Sequence, residues 1–411
     1  MATALRAPAP LTPARTAALS TRMAQLSSEG ALEVFRRAQA LEAQGRTIVH
    51  LELGAPDVDA PPHVTEAAIA ALRAGDARYV APQGLPEFRA AIAADCNARG
   101  IAGDADDVLV TPSAKAAVFY AMLAAVSEGD EVLVPDPGFP IYPSMARFAG
   151  GVPVGYGVAA DNAPDVDDIA ARIGPRTRVL CLNSPNNPTG GALSRAALER
   201  LAELVAEHRL TVVTDDIYAK LVYDGPYAPS IAACAAARPY TLVIDGFSKS
   251  YAMTGYRLGY LMAPPGARAW MERLVTMAIN GYTCVPPFIQ RAGLAALTGP
   301  QDALHRQVEA YRARRDRLVA GLNAIPGVRC PVPAGSFYAF ADFSGVLVPR
   351  GMTSRAFADR LLERYGIAAN DGASWGGRGG GCVRFSYASA QSDLDAAVAR
   401  VGEAVGEVDG R

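Results

Sequence analysis

A chain of 411 residues that is 50% hydrophobic can bury a large core, and its length favours two domains over one. A formal net charge of −2 gives no overall field for nucleic acid, and the longest uninterrupted apolar run, residues 116–126, is far short of the roughly 20 residues that span a membrane. Six scattered cysteines with no CxxC pair, and four histidines with none paired at ligand spacing, argue for reduced thiols in a cytoplasm and against a metal site.

In chain order, residues 1–27 read as a disordered or extended arm, because Pro8, Pro10 and Pro13 interrupt any amphipathic helix there. Leu32, Phe35, Ala38 and Leu41 mark a first helix that stops at Gly45, and residues 47–53 read as a strand. Pro86 suits the first turn of a helix ending near Gly100. Strands are then expected at 108–110, 131–134, 151–154, 178–182 and 210–213, with helices at 114–126, 166–173 and 195–207 between them. Two more strands follow at Leu242 and Leu258. This alternation predicts an α/β fold, a mainly parallel sheet flanked by helices. Further on, Arg312, Arg314, Arg315 and Arg317 fall within an amphipathic pattern of Leu304, Val308, Tyr311, Leu318 and Leu322, which reads as a solvated helix face.

Polar residues follow several of these strands directly. Ser113, Asn183, Asp215 and the pair Ser248-Lys249 each come after an apolar run, so in a parallel sheet they gather along its carboxyl edge, where ligands of open α/β sheets bind. Lys249 is the most telling of them. A lysine at the end of a core strand loses hydration, its pKa falls, and the neutral amine can attack an aldehyde. Arg257, eight residues on in a glycine-flanked segment, offers a planar cation suited to a phosphate, and Ser248 adds a hydroxyl. An aldehyde that carries a phosphate suggests pyridoxal 5'-phosphate.

The segment from Ser248 to Tyr260, with Ser248-Lys249 and Gly255-Tyr256-Arg257-Leu258-Gly259, resembles the cofactor-lysine segment of class I, aspartate aminotransferase-like aminotransferases, which are fold-type I PLP-dependent enzymes. The resemblance runs in order through Leu53-Gly54-Ala55-Pro56-Asp57, Tyr79 with Gly84, Thr111-Pro112-Ser113-Ala114-Lys115, Asn183 to Gly190, Asp215-Asp216-Ile217-Tyr218 and Arg384-Phe385-Ser386-Tyr387-Ala388. It implies a large cofactor-binding domain over 57–298 and a smaller α/β domain built from 28–56 and 299–411.

The same resemblance implies roles. Lys249 holds the cofactor as an imine and then moves the substrate's α-proton, as base and acid in turn. Asp215 keeps the pyridine nitrogen protonated, and Tyr218 and Asn187 donate to the phenolic oxygen. Phe139 stacks on the ring; aspartate-type members commonly carry Trp there, so Phe139 lacks an indole N–H. Ser113, Ala114 and Lys115 open a helix whose backbone N–H groups hold the phosphate with Ser248 and Arg257, and Tyr79 reaches the phosphate of a neighbouring subunit, which makes the active unit a homodimer. Arg384 grips the substrate α-carboxylate with Asn187 and the backbone at Gly54. Lys115 meets the distal carboxylate of a dicarboxylic substrate.

The expected activity is therefore amino-group transfer between an L-amino acid and a 2-oxo acid by a ping-pong mechanism, with aspartate, glutamate or 2-oxoglutarate as one co-substrate. A PLP-dependent lyase, cyclase or oxidase-like enzyme on the same fold is the alternative, since fold and cofactor do not dictate outcome. The segment from Asn370 to Gly376 departs from the family, which often has Pro-Gly before the aromatic, and a glycine-rich patch at 376–381 follows.

Overall fold

A computed structural model describes residues 19–27 and 30–410. Most of the expected N-terminal arm thus lies outside the described residues; the part inside forms a short turn of helix at Thr21–Gln25, and the Ser27 N–H donates to Ser144 Oγ at 3.0 Å.

The strands are β1 (Val49–His50), β2 (Val108–Thr111), β3 (Glu131–Pro135), β4 (Val152–Tyr156), β5 (Thr177–Asn183), β6 (Thr211–Asp215), β7 (Thr241–Gly246), β8 (Gly259–Met262), β9 (Tyr338–Asp342), β10 (Ile367–Ala368), β11 (Asn370–Asp371) and β12 (Cys382–Ser386). Seven of them form one sheet in the order β2-β8-β7-β6-β5-β3-β4. Neighbours from β7 to β4 pair parallel, and β8 runs antiparallel to both β2 and β7. A three-stranded antiparallel sheet, β11-β12-β9, and the parallel pair β1-β10 complete the strands.

Both faces of the large sheet are covered. Successive side chains of a strand point to opposite faces, so Val108 and Val110 enter one apolar cluster and Leu109 another. On β5, Val179 and Cys181 point to one side while Leu180 and Leu182 point to the other. Strands buried on both faces read as continuous apolar runs, which is why their position is visible in sequence. The intervening helices fall at Ala114–Ala125, Ile141–Phe148, Val166–Arg172 and Arg195–His208, close to the expected bounds.

Three expectations need correction. The strand expected at 47–53 shrinks to β1, because beyond it the Glu52 carbonyl accepts from Arg384 and Asn370, and the Gly54 carbonyl accepts from Lys249. Those oxygens serve side chains instead of a ladder. Next, β7 ends at Gly246, so Lys249 sits on a turn just past the strand. Finally, the arginines of helix Asp302–Asn323 do not form a simply solvated face. Arg314 pairs with Asp57 at 2.8 Å, Arg315 lies 4.4 Å over the Tyr223 ring, and Arg312 donates to the Tyr223 carbonyl. Their stems cover apolar surface while the heads find acceptors.

Candidate active site

Register along the sheet sets the site. Asn183 at the end of β5 lies beside Asp215 at the end of β6, and Gly246 at the end of β7 lies beside Gly259 at the start of β8. Gly259 in turn pairs with Thr111 at the end of β2, just before Ser113. A Cβ on Gly259 would lie 2.4 Å from the Ala114 nitrogen, so only glycine lets β8 pass this close to the start of helix Ala114–Ala125. These strand ends surround a cavity of about 320 Å³, whose lining includes Gly54, Ser113, Ala114, Lys115, Phe139, Asn187, Asp215, Tyr218, Ser248, Lys249, Arg257 and Arg384. Twelve expected positions converge. Tyr79 does not join them: it is 86% exposed and outside the cavity of its own chain.

Asp215 forms the floor. It is 5% exposed; Tyr142 Oη donates to its Oδ2 at 2.8 Å and the Ile217 N–H to its Oδ1 at 3.2 Å. Burial pushes its carboxyl up to about 6, with Asp216 acting the same way, against the opposing pull of those two hydrogen bonds and of Lys249. Asn183 Nδ2 donates to the Asp215 carbonyl at 2.8 Å, while Asn183 Oδ1 accepts from the Asn187 N–H at 2.8 Å. One asparagine thereby fixes two site residues. Lys249 stands half-buried above this floor with its ammonium on the Gly54 carbonyl, and Gln307 Nε2 donates to its backbone carbonyl at 3.2 Å.

One end of the cavity suits an anion. Ser113 adopts φ 119 and its Oγ accepts from the Ala116 N–H at 3.2 Å, capping the helix that Ala114 and Lys115 begin. Arg257 and Ala252 both hold φ 53, a conformation costly for residues with a Cβ, in the turns that bring Ser248, Thr254 and Arg257 to the same end. Arg257 Nη1 donates to the Thr254 carbonyl at 2.8 Å.

The other end is a guanidinium between two rings. Arg384, on β12, is 2% exposed; its Cζ lies 4.3 Å from the Tyr338 ring and 4.2 Å from the Trp375 ring. Nη1 donates to Asn187 Oδ1 at 3.0 Å and Nη2 to the Glu52 carbonyl. A Cβ on Gly54 would lie 1.9 Å from Tyr338 Oη, so any larger residue here would push the Tyr338 ring away from Tyr218. Tyr218 and Tyr338 share a hydroxyl contact of 3.0 Å, and burial holds the Tyr218 phenol well above its usual range. Phe139 faces the Trp375 ring at 6.4 Å and 29°, and Lys115 Nζ lies 5.5 Å from the Phe139 centroid.

Sequence reasoning missed Tyr142, Tyr338 and Trp375 as site residues. Tyr142 had a signal, since it follows Phe139 by three residues across a Pro-containing turn in which its N–H donates to the Phe139 carbonyl at 3.1 Å, bringing the two rings to 5.8 Å. Tyr338 had none. The departure at 370–376 turns out to deliver Trp375 into the cavity wall. Among the described residues, no group of three or more His, Cys, Asp or Glu could hold a metal.

These residues fit pyridoxal 5'-phosphate. A buried carboxylate at a cavity floor is best offset by a cation placed against it, a protonated pyridine is such a cation, and the lysine and the helix start lie where an aldehyde and a phosphate can be met. The fold and site thus define the class of enzymes that work through this cofactor. The sequence profile of aminotransferase class I and II matches residues 46–401. The aspartate aminotransferase of Rhizobium meliloti (strain 1021) is 35% identical over 396 residues, covering 94% of this chain and 95% of that protein. The aspartate/prephenate aminotransferase of Thermus thermophilus is 36% identical over 396 residues, 94% of this chain and 99% of that one. The crystal structure of the Rhizobium meliloti aspartate aminotransferase superposes with a TM-score of 0.89 at 34% identity, over 95% of this chain and 99% of that one. The chain belongs to the aminotransferase class I and II family, and it is a PLP-dependent aminotransferase acting on amino acids.

Proposed function

We propose that this enzyme moves an amino group between an L-amino acid and a 2-oxo acid, with a dicarboxylic acid (aspartate, glutamate or 2-oxoglutarate) as one co-substrate, by two successive half-reactions. The observation that carries the dicarboxylic reading is a cavity with a buried arginine, Arg384, at one end and Lys115 on its wall, two separate cationic side chains that the two carboxylates of one substrate can bridge. Relatives named aspartate aminotransferase support it.

Bound in the cavity, the cofactor supplies the aldehyde that takes up the amino group and a ring that withdraws electrons from the reacting carbon. Lys249 anchors that aldehyde, and its amine then removes and returns the α-proton. Asp215 holds a proton on the ring nitrogen, while Tyr218 and Asn187 donate to the ring oxygen. Arg384, Asn187 and the Gly54 backbone orient the α-carboxylate, and Ser248 and Arg257 hold the phosphate together with the backbone N–H groups at Ser113, Ala114 and Lys115, which a change of the Lys115 side chain leaves in place. Phe139 covers one face of the ring. Tyr79 serves the site of a second copy, so the working unit is a homodimer in the cytoplasm. Residues 28–56 and 299–411 act as a smaller domain that carries Arg384 against the larger one.

Borohydride reduction of holoprotein followed by peptide mapping tests the anchor, and a cofactor attached anywhere but Lys249 defeats this reading. For the co-substrate, Lys115→Ala should raise KM for aspartate and 2-oxoglutarate about tenfold and leave alanine and pyruvate unchanged, as loss of one charged contact implies. Steady-state assays with equal effects on both substrate pairs would remove the dicarboxylic assignment.

A further inference from the structure

Tyr338 stands where three parts of the site meet. Its side chain is 1% exposed and borders the cavity. Its Oη lies 3.0 Å from Tyr218 Oη, with the two rings edge to face at 5.7 Å and 82°. The face of the same ring lies against Arg384, whose Cζ is 4.3 Å from the centroid. Its hydroxyl fills the space that a Cβ on Gly54 would take, 1.9 Å away, so the lack of a side chain there admits it. Strand pairing explains the placement. Tyr338 opens β9 opposite Ser386 of β12, which makes Arg384, two residues before Ser386, its diagonal neighbour on the same face. Tyr218 comes from the other sheet, three residues past the end of β6.

Proton counting gives the direction of the contact between the two tyrosines. Each hydroxyl holds one proton, and either oxygen can accept. When Tyr218 gives its proton to the ring oxygen of the cofactor, as read above, the proton between the tyrosines belongs to Tyr338. A hydroxyl that accepts one hydrogen bond donates a stronger one.

We propose that Tyr338 is a positioning residue for the reaction: its hydroxyl donates to Tyr218 Oη, turning the Tyr218 proton toward the cofactor ring oxygen and strengthening that bond, while its ring holds the Arg384 guanidinium. One side chain thereby joins the donor that acts on the cofactor to the fork that receives the substrate. The inference rests on the roles of Tyr218 and Arg384 proposed above.

The test compares holoenzyme with Tyr338→Phe, which removes the hydroxyl and keeps the ring, Tyr338→Leu, which removes both, Tyr218→Phe, and the double variant Tyr218→Phe/Tyr338→Phe. The first readout needs no turnover: the pH midpoint of the absorbance of the bound cofactor. Donation to the ring oxygen favours its anion and so lowers the pH at which the linkage to Lys249 sheds its proton; weaker donation raises the midpoint. Tyr338→Phe should raise it by about half a pH unit and Tyr218→Phe by about one or more. The double variant should match Tyr218→Phe, because the effect passes through that hydroxyl. In Tyr338→Phe kcat should fall severalfold with KM for aspartate and alanine unchanged. In Tyr338→Leu KM should also rise about tenfold, since Arg384 loses one of its two covering rings. A wild-type midpoint in Tyr338→Phe would overturn the proposal, and so would a shift that persists undiminished in the Tyr218→Phe background. A wild-type midpoint in Tyr218→Phe would withdraw the role of Tyr218 and this inference with it. Should the parent enzyme bind the cofactor but transfer no amino group, the functional reading alone would fail, and the midpoints would still decide the role of Tyr338.

Discussion

At Asp215 stability and function pull in opposite directions. Its carboxyl ionises near 3.8 in an unfolded chain and at about 6 in the fold, chiefly because it is buried. As pH rises from about 4 to 6 the unfolded chain gives up this proton while the fold retains it, so the cofactor-free protein loses up to about 3 kcal/mol over that window and nothing more above it. Asp215→Asn removes the penalty without emptying the site, since the amide can still meet Tyr142 and the Ile217 N–H. Denaturant titrations of cofactor-free protein should therefore show the variant more stable than the parent at pH 7 and indistinguishable at pH 4. Catalysis should move the other way. A carboxylate about 4 Å from a ring cation is worth about 4 kcal/mol at an effective dielectric near 20, so turnover of the loaded variant should fall by about a thousandfold. Equal stability at both pH values would mean that the buried carboxyl is not strained.

At the scale of elements, the site depends on how closely β8 passes the start of helix Ala114–Ala125. Gly259→Ala places a methyl group 2.4 Å from the Ala114 nitrogen and 2.5 Å from the Ser113 carbonyl carbon, and both neighbours are backbone. The strand and the helix start must separate. The variant should lose about 1–3 kcal/mol of stability, as overpacked sites do, and release the cofactor more readily, because the residues that move include Ser113 and Ala114. Thermal melts with dialysis of bound cofactor would check this, and unchanged cofactor retention would exclude the helix start from phosphate binding. What sequence could reveal follows the same division. The strand ends were legible because each doubly buried strand is a run such as Val212-Val213 or Leu242-Val243-Ile244, and the polar residue after it marks the sheet edge. Trp375 and Tyr338 were not, because their place depends on the loop clamped by Asp136 and on the antiparallel pairing of β9 with β12, two long-range contacts without a local pattern. β1 was misjudged for a related reason: its apolar alternation continues to Leu53, but the carbonyls beyond it are spent on Arg384, Asn370 and Lys249.

At the scale of the whole molecule, one apolar cluster runs from β2 and β7 through helix Pro86–Ala98 to β9 and the last helix, so Val49, Leu51 and the segment from Leu304 to Val405 share a core with the large sheet. The cavity opens at the edge of that body, and Tyr79, outside it, exposes 86% of its surface. In the homodimer proposed above, Tyr79 would reach the facing site, and each site would then draw Lys249 from one copy and Tyr79 from the other. Complementation distinguishes the arrangements. Tyr79→Ala and Lys249→Ala should each be impaired at limiting cofactor, the second almost completely. In a mixed dimer one site combines the intact Lys249 of the first variant with the intact Tyr79 of the second, while the other site carries both lesions. Unfolding and refolding the two variants together in equal amounts should therefore restore activity towards about one quarter of the wild-type level, since random pairing makes half of the dimers mixed and half of their sites whole. If the mixture never exceeds the average of the two variants alone, Tyr79 acts within its own chain or not at all, and the shared site has to be abandoned even if the protein sediments as a dimer.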